Sequence, residues 1–219
     1  MDLIRSVLTF GFQACPSCGG YRVQESLLCV ACEENVFRLL NPRVETLEGW
    51  TIRSLFSWNP GESDALSALL LALKGPHRRR AWKFWAEVFS RHHFGSFGRE
   101  GAVHAVSAPL RGEKSSWDHA AHWTEALSAE HGFLFRGPLF RKSGEQSQRR
   151  KSHKERRSGL KLVKMTDEPQ DSSASWVFGD DILTTGETAR AVHRALGRPF
   201  RFEVWCLARR GMNPPRADV

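Results

Sequence analysis

The sequence contains no long hydrophobic run and no internal repeat. No stretch approaches the roughly 20 consecutive apolar residues that a membrane-spanning helix needs, so such a helix is excluded. The N-terminus carries Asp2 where a secretory signal would be basic, and we therefore expect a cytoplasmic protein.

Acidic residues are outnumbered by basic ones. The 219 residues include 24 Asp and Glu against 32 Lys and Arg, which leaves a formal net charge of +8. This charge favours polyanionic partners in general and is equally compatible with an ordinary basic surface. Hydrophobic residues (41%) and aromatic residues (11%) are too frequent for a disordered or fibrous chain. The length predicts one domain of ordinary size with a small appendage.

Four of the five cysteines form two Cys-x-x-Cys pairs near the N-terminus. Cys15 and Cys18 make one pair, Cys29 and Cys32 the other, and ten residues separate the pairs. Two such pairs can supply a closed tetrahedral sulfur site, which is typical of structural zinc. Iron in a rubredoxin-like site and two disulfides are the alternatives, and a reducing compartment disfavours the disulfides. Cys206 lies in an apolar run and is predicted to be a buried small residue.

The rest of the chain predicts alternating strands and helices. With Asn41-Pro42 as a turn, we expect a cysteine module over residues 1–45 and a larger domain over residues 46–219. Apolar spacing and capping residues predict helices over 62–74, 80–93, 116–132 and 186–196 and strands over 102–109, 175–181 and 200–208. This order indicates an α/β domain with a parallel central sheet and helices on both faces. Trp82, Trp85 and Trp117 have the helical spacing of core residues.

The most informative motif follows the strand predicted over 175–181. Two adjacent carboxylates, Asp180 and Asp181, end this apolar run, and a turn with hydroxyl groups and Gly186 then opens a helix. The free backbone N–H groups of a helix start form an anion site, and the glycine lets the backbone approach a phosphate. Such turns lie at the carboxyl edge of a parallel sheet, where ligands bind. The alternative is an ordinary connection in which Glu187 and Thr188 only stabilise the helix start.

This motif resembles the phosphoribosyl pyrophosphate motif of type I phosphoribosyltransferases. The resemblance implies that Asp180 and Asp181 hold the ribose hydroxyl groups as the catalytic acidic pair. It also implies a phosphate loop that cradles the 5′-phosphate and consists of Thr184, Thr185, Gly186, Glu187 and Thr188. The fold it implies is the Rossmann-like type I phosphoribosyltransferase fold, here with a small zinc-ribbon-like module at the N-terminus.

The chain as a whole resembles the ComF family of competence proteins. The cysteine module precedes the transferase-like domain, as it does in that family. Further matches are Leu73-Lys74-Gly75, Val106-Ser107-Ala108-Pro109-Leu110, Gln148, Ser152, Glu155, Arg156, Leu160 and Leu207-Ala208-Arg209. The family's Arg-Gly-Phe-Asn-Gln stretch is replaced near Lys114, Lys151 stands for a leucine, and Gly159 stands for an asparagine. These departures weaken the expectation of turnover more than that of phosphate binding.

Two classes of function follow from the resemblance. As an enzyme, the protein would displace pyrophosphate from phosphoribosyl pyrophosphate with Mg²⁺, and Arg111 or Lys114 would stabilise the leaving charge. As a binding module, it would bind phosphoribosyl pyrophosphate or a nucleotide and assist DNA uptake with uptake proteins.

Single-stranded DNA is a further expected partner. Residues 141–160 hold eight Lys or Arg, only two Glu and no large apolar residue before Leu160, so we expect a mobile loop or an exposed helix. The tentative DNA contacts within it are Arg149, Arg150, Lys151 and Lys154. A loop that closes over a polyphosphate, or a merely solvated face, would have the same composition.

Overall fold

The computed structural model describes residues 14–61, 64–93, 102–110, 118–142, 160, 162–165 and 174–211. Eight strands lie in these ranges: Arg43–Leu47 (β1), Trp50–Trp58 (β2), Val103–Ser107 (β3), Leu134–Phe135 (β4), Phe140–Lys142 (β5), Leu162–Lys164 (β6), Ser175–Leu183 (β7) and Phe202–Arg210 (β8). The helices are Val30–Arg38 (α1), Asp64–Ala72 (α2), Arg79–His93 (α3), His119–His131 (α4) and Glu187–Ala195 (α5).

Six of the strands form one sheet in the order β1-β2-β8-β7-β3-β4. All neighbours in it are parallel except β1 and β2, which pair as an antiparallel hairpin at one edge. Strands β5 and β6 form a separate antiparallel pair. The predicted α/β architecture with a parallel central sheet is therefore confirmed, and the cysteine cluster precedes it in the chain.

Alternate residues of the sheet supply two hydrophobic clusters, because successive side chains of a strand point to opposite faces. Val177 and Trp205 lie in a cluster with α2, α3, α4 and the cysteine module. Phe178 and Cys206 lie in the other cluster, with α5. Trp82, Trp85 and Cys206 are fully buried, as predicted. Trp117, the third tryptophan predicted to lie in the core, is outside the described residues.

Several elements differ from the sequence predictions. Helix α1, which begins directly after Cys29, and the β1–β2 hairpin were not predicted. Strand β7 continues to Leu183, two residues beyond the predicted end. The acidic pair therefore lies inside the strand, because β8 continues to pair with β7 beyond Asp180.

The cysteine module packs against the larger domain. Leu28 and Val36 are fully buried in the same cluster as Leu69 of α2. The indole Nε1 of Trp85 donates a hydrogen bond to the carbonyl oxygen of Ser26 over 3.2 Å. Among the described residues, every helix is too short or too polar to cross a lipid bilayer.

Candidate phosphate-binding site and cysteine cluster

The carboxyl ends of the parallel strands place the candidate site. Strands β3, β7 and β8 run in the same direction, so they end at the same edge of the sheet. The chain leaves β7 at Leu183, passes through Thr184 and Thr185, and enters α5 after Gly186. This is the edge at which α/β sheets bind ligands, and it is where the motif was expected to lie.

The phosphate loop leaves the start of α5 open. Gly186 is the N-cap residue of α5, with φ 80° and ψ 4°. Because glycine has no side chain, this position offers no side-chain hydrogen bond to the first turn. Its carbonyl oxygen accepts the first helical hydrogen bond, from the N–H of Arg190 over 2.9 Å. The first-turn N–H groups have no partner within the helix and can bind an anion. Thr184 and Thr185 are exposed beside them.

Gly186 is required for a reason beyond phosphate approach. Its positive φ is the left-handed conformation that L side chains rarely adopt. A Cβ atom on it would lie 3.2 Å from Cδ2 of Leu47, at the end of β1. The glycine therefore fits the loop against the hairpin as well as setting its backbone direction.

The carboxylate of Glu187 is paired with Arg190. Arg190 donates from Nη1 to Oε1 of Glu187 over 2.8 Å and from Nε to Oε1 of Glu48 over 2.8 Å. A negative side chain cannot itself cradle a phosphate, so the expected contribution of Glu187 reduces to its backbone N–H. The half-buried Thr188 follows it in the first turn.

Arg209 supports the loop from β8. Its side chain is 5% exposed, and Nη1 donates to the carbonyl oxygens of Leu183, at 3.3 Å, and of Thr184. Its Nε lies 3.6 Å from Oε2 of Glu45 on β1. In the sequence analysis Arg209 has no role beyond the ComF-like Leu-Ala-Arg match. A charged residue inside an apolar strand run was the available signal.

Two side chains that the sequence analysis did not assign to the site, Lys74 and His119, contact the acidic pair. Nζ of Lys74 lies 2.8 Å from Oδ2 of Asp181, whose side chain is 8% exposed. Nε2 of His119 lies 3.5 Å from the same oxygen. The backbone N–H of Asp181 donates to Oδ1 of Asp180 over 2.9 Å. In the sequence, Lys74 stands out only within the ComF-like stretch Leu73-Lys74-Gly75, and His119 belongs to no motif.

The two carboxyl groups have opposite pKa shifts. Burial and the negative charge of Asp181 raise the pKa of Asp180 well above its usual range. Burial would also raise the pKa of Asp181, but the hydrogen bond with His119 and the charge of Lys74 outweigh it and hold that pKa below its usual range. Two adjacent carboxylates cannot both ionise cheaply. Of the two carboxyl groups, Asp181 is the one that lies against a lysine ammonium group.

The end of β3 forms the neighbouring wall of the site. The N–H of Ala108 donates to the carbonyl oxygen of Gly179 over 3.0 Å, and the N–H of Leu110 donates to that of Phe140 over 3.2 Å. These bonds hold the ComF-like stretch 106–110 between β7 and β5. Arg111 and Lys114, which were expected to follow it, lie outside the described residues. So do Arg149, Arg150, Lys151 and Lys154.

The four N-terminal cysteines converge. All four Sγ atoms lie within 4.8 Å of one another, and those of Cys18 and Cys29 are 3.5 Å apart. A tetrahedral zinc site with Zn–S bonds of about 2.3 Å has sulfur–sulfur distances of about 3.8 Å. Gly19, with φ 72°, turns the first pair, and its N–H donates to the carbonyl oxygen of Cys15 over 2.8 Å. The sulfur geometry fits a tetrahedral metal ion.

The chemistry of the thiols also fits a cation. Burial raises the pKa of Cys15, but hydrogen bonds from neighbouring backbone N–H groups outweigh it and lower the pKa to about 6. A hydrogen bond with Ser17 lowers the pKa of Cys32, but burial and the three neighbouring thiols outweigh it and raise the pKa to about 12. Four thiolates at these distances need a bound positive charge to coexist.

Comparison with known proteins gives structural similarity only. No protein-family model matches the chain, and no curated protein sequence matches it. An adenine phosphoribosyltransferase from Saccharomyces cerevisiae is 15% identical with a TM-score of 0.39, over 82% of this chain and 88% of that one. A hypoxanthine phosphoribosyltransferase from Staphylococcus aureus is 11% identical with a TM-score of 0.40, over 64% of this chain and 69% of that one. A hypoxanthine phosphoribosyltransferase from Trypanosoma cruzi is 16% identical with a TM-score of 0.38, over 64% of this chain and 70% of that one.

Proposed function

We propose that this protein binds a phosphoribosyl compound, either phosphoribosyl pyrophosphate or a nucleotide, at the carboxyl end of β7. The observation that carries the proposal is the phosphate loop itself. The open start of α5, preceded by Gly186 at positive φ, follows the strand that contains the half-buried Asp180 and the buried Asp181. The loop amides suit a 5′-phosphate, and the carboxyl groups suit the hydroxyl groups of the sugar that carries it.

The site would divide the ligand between the loop and the strand. The N–H groups of the first turn of α5 and the hydroxyl groups of Thr184, Thr185 and Thr188 would donate to the phosphate oxygens. Asp181 would accept from a ribose hydroxyl, and Asp180, with its raised pKa, can both donate and accept. Arg209 would keep the carbonyl oxygens of the loop turned away from the anion.

The cysteine cluster would hold a structural zinc ion through Cys15, Cys18, Cys29 and Cys32. A bound zinc ion would cross-link the two Cys-x-x-Cys pairs and stabilise the module. Because Cys15 and Cys32 lie in the same hydrophobic cluster as the helices α2 and α3, the metal would also stabilise the packing against the larger domain.

The cellular role that we propose is assistance to DNA uptake, as the ComF resemblance implies. The basic segment 141–160 is the candidate for contact with single-stranded DNA, because its eight Lys or Arg exceed what one small polyphosphate needs. Turnover of phosphoribosyl pyrophosphate is the alternative. The departures near Lys114 count against it.

Titration calorimetry with phosphoribosyl pyrophosphate and with ribose 5-phosphate tests the binding site. Thr185→Val should weaken both ligands by about 1–3 kcal/mol, the value of a hydrogen bond to a charged group. The double variant Asp180→Asn with Asp181→Asn should weaken both by removing the sugar partners. Thr46→Val, an exposed substitution of the same chemistry on β1, is the matched control. Failure of the wild-type protein to bind either ligand would refute the site, and release of pyrophosphate on mixing would establish turnover.

A further inference from the structure

The acidic pair already has a positive charge in its immediate surroundings. The ammonium group of Lys74 lies 2.8 Å from a carboxylate that is 8% exposed, while the lysine side chain is itself 35% exposed. His119 approaches the same oxygen from α4 at 3.5 Å. An ion pair at a largely buried carboxylate is screened much less by salt and water than one at the surface.

The backbone holds Lys74 in this place. The N–H of Lys74 donates to the carbonyl oxygen of Leu71 over 3.1 Å, and that of Gly75 to the carbonyl oxygen of Ala72 over 3.0 Å. The carbonyl oxygen of Leu73, which is fully buried, accepts from Nε1 of Trp82 over 3.2 Å. The backbone of the turn after α2 is therefore anchored on both sides of the lysine, which fixes the point from which its side chain reaches Asp181.

This arrangement does not fit a resident divalent ion on the carboxylates. Mg²⁺ is bound through carboxylate oxygens and gives up its water reluctantly, so it needs uncompensated negative charge. Here Asp181 is already paired with the Lys74 ammonium group at 2.8 Å, and His119 lies 3.5 Å from the same oxygen. An ion at the same oxygens would meet the ammonium group at close range.

We propose that Lys74, rather than a bound metal ion, is the resident counter-charge of the acidic pair. The inference rests on the proposed function. If the site binds a sugar phosphate, Lys74 is a positioning residue, because it keeps Asp181 ionised and oriented toward the hydroxyl groups of the sugar. Any Mg²⁺ would enter only as the counter-ion of a ligand's own diphosphate. A phosphoribosyl ligand without a diphosphate would bind independently of Mg²⁺.

The test is a titration of the zinc-loaded full chain with Mn²⁺, followed by electron paramagnetic resonance. Wild-type protein should bind Mn²⁺ weakly, and no more tightly than the Asp181→Asn variant. Lys74→Met should bind it about tenfold more tightly or better, because it leaves a charged carboxylate without a partner. Adding Asp181→Asn to Lys74→Met should abolish the gain. Lys83→Met removes the same charge from an exposed site on α3 that pairs with Glu87, so it should match the wild-type protein.

Three results with the lysine variants would each overturn the inference. They are an unchanged Mn²⁺ affinity in Lys74→Met, a gain shared by Lys83→Met, and a gain that survives Asp181→Asn. If Lys74→Met fails to fold, Lys74→Gln replaces it. The inference is also overturned, without either lysine variant, if wild-type protein binds Mn²⁺ tightly and Asp181→Asn loses that binding.

A second titration separates this inference from the proposed function. Ribose 5-phosphate should bind zinc-loaded wild-type protein with the same affinity in buffer that contains Mg²⁺ and in buffer freed of divalent ions before the protein is added. Lys74→Met should bind it better with Mg²⁺ than without. If the sugar phosphate binds neither protein while the Mn²⁺ results hold, the proposed function fails and the role of Lys74 as counter-charge stands. If wild-type binding requires Mg²⁺, the inference fails and the proposed function stands.

Discussion

The substitution Gly186→Ala tests whether the backbone of the phosphate loop determines both stability and binding. At φ 80°, an alanine would occupy the left-handed region, which costs about 1–2 kcal/mol for an L residue. Its Cβ would also press on Cδ2 of Leu47 at 3.2 Å, which requires a shift of a few tenths of an ångström. We expect the free energy of unfolding to fall by about 1–2 kcal/mol, measured by urea denaturation.

The same substitution should weaken phosphate binding. If residue 186 relaxes toward negative φ, the first N–H groups of α5 turn away from the ligand. Loss of one hydrogen bond to a charged group is worth about 1.5–3 kcal/mol, so affinity for ribose 5-phosphate should fall roughly tenfold to a hundredfold. Titration calorimetry measures this directly.

Gly132→Ala is the matched control for Gly186→Ala. Gly132 ends α4 with φ 71° and ψ 30°, and a Cβ there would meet nothing within 4 Å. Since the 13 residues of α4 span about 20 Å, this control lies far from the site at the other end of the helix. It should lose similar stability and bind the ligand normally. Equal loss of affinity in both variants, or full affinity in a destabilised Gly186→Ala, would refute the reasoning.

Three further predictions concern other parts of the chain. Purified protein should contain one zinc ion per chain, worth on the order of 10 kcal/mol, and Cys29→Ser should lose it; metal analysis that finds no zinc refutes this. Arg209→Gln should lower the free energy of unfolding by about 2–4 kcal/mol, because it removes donors from buried carbonyl oxygens and a partner from Glu45; an unchanged urea midpoint contradicts it. The affinity for single-stranded DNA should fall with salt concentration with a log–log slope of about −3, and replacing four basic residues with Gln should flatten that slope. The four are Arg149, Arg150, Lys151 and Lys154. A slope that these substitutions leave unchanged would exclude the segment 141–160 as the DNA contact.

Local patterns in the sequence were sufficient for the elements whose signals are local. The apolar spacing of α3, the left-handed stop at Gly132 and the turn before α5 depend on residues a few positions apart. The spacing of the cysteine pairs likewise predicted a common site, because a two-residue spacer brings both thiols to one side of a tight turn. The parallel sheet followed from the alternation of strands and helices.

Tertiary contacts decided what surrounds the acidic pair. Lys74, His119 and Asp181 are separated by 45 to 107 residues in sequence, and only the packing of α2 and α4 beside β7 brings them together. The β1–β2 hairpin was missed because β1 is mostly exposed and the buried polar residues Arg53 and Ser54 interrupt the apolar pattern of β2. The hairpin nevertheless supplies Glu45 to Arg209 and Leu47 to Gly186. The sequence alone therefore predicted the turn before α5 and the clustering of the four cysteines, because each depends on residues that are close together in the chain. The charge state and support of the acidic pair depend on side chains that are close only in the folded chain.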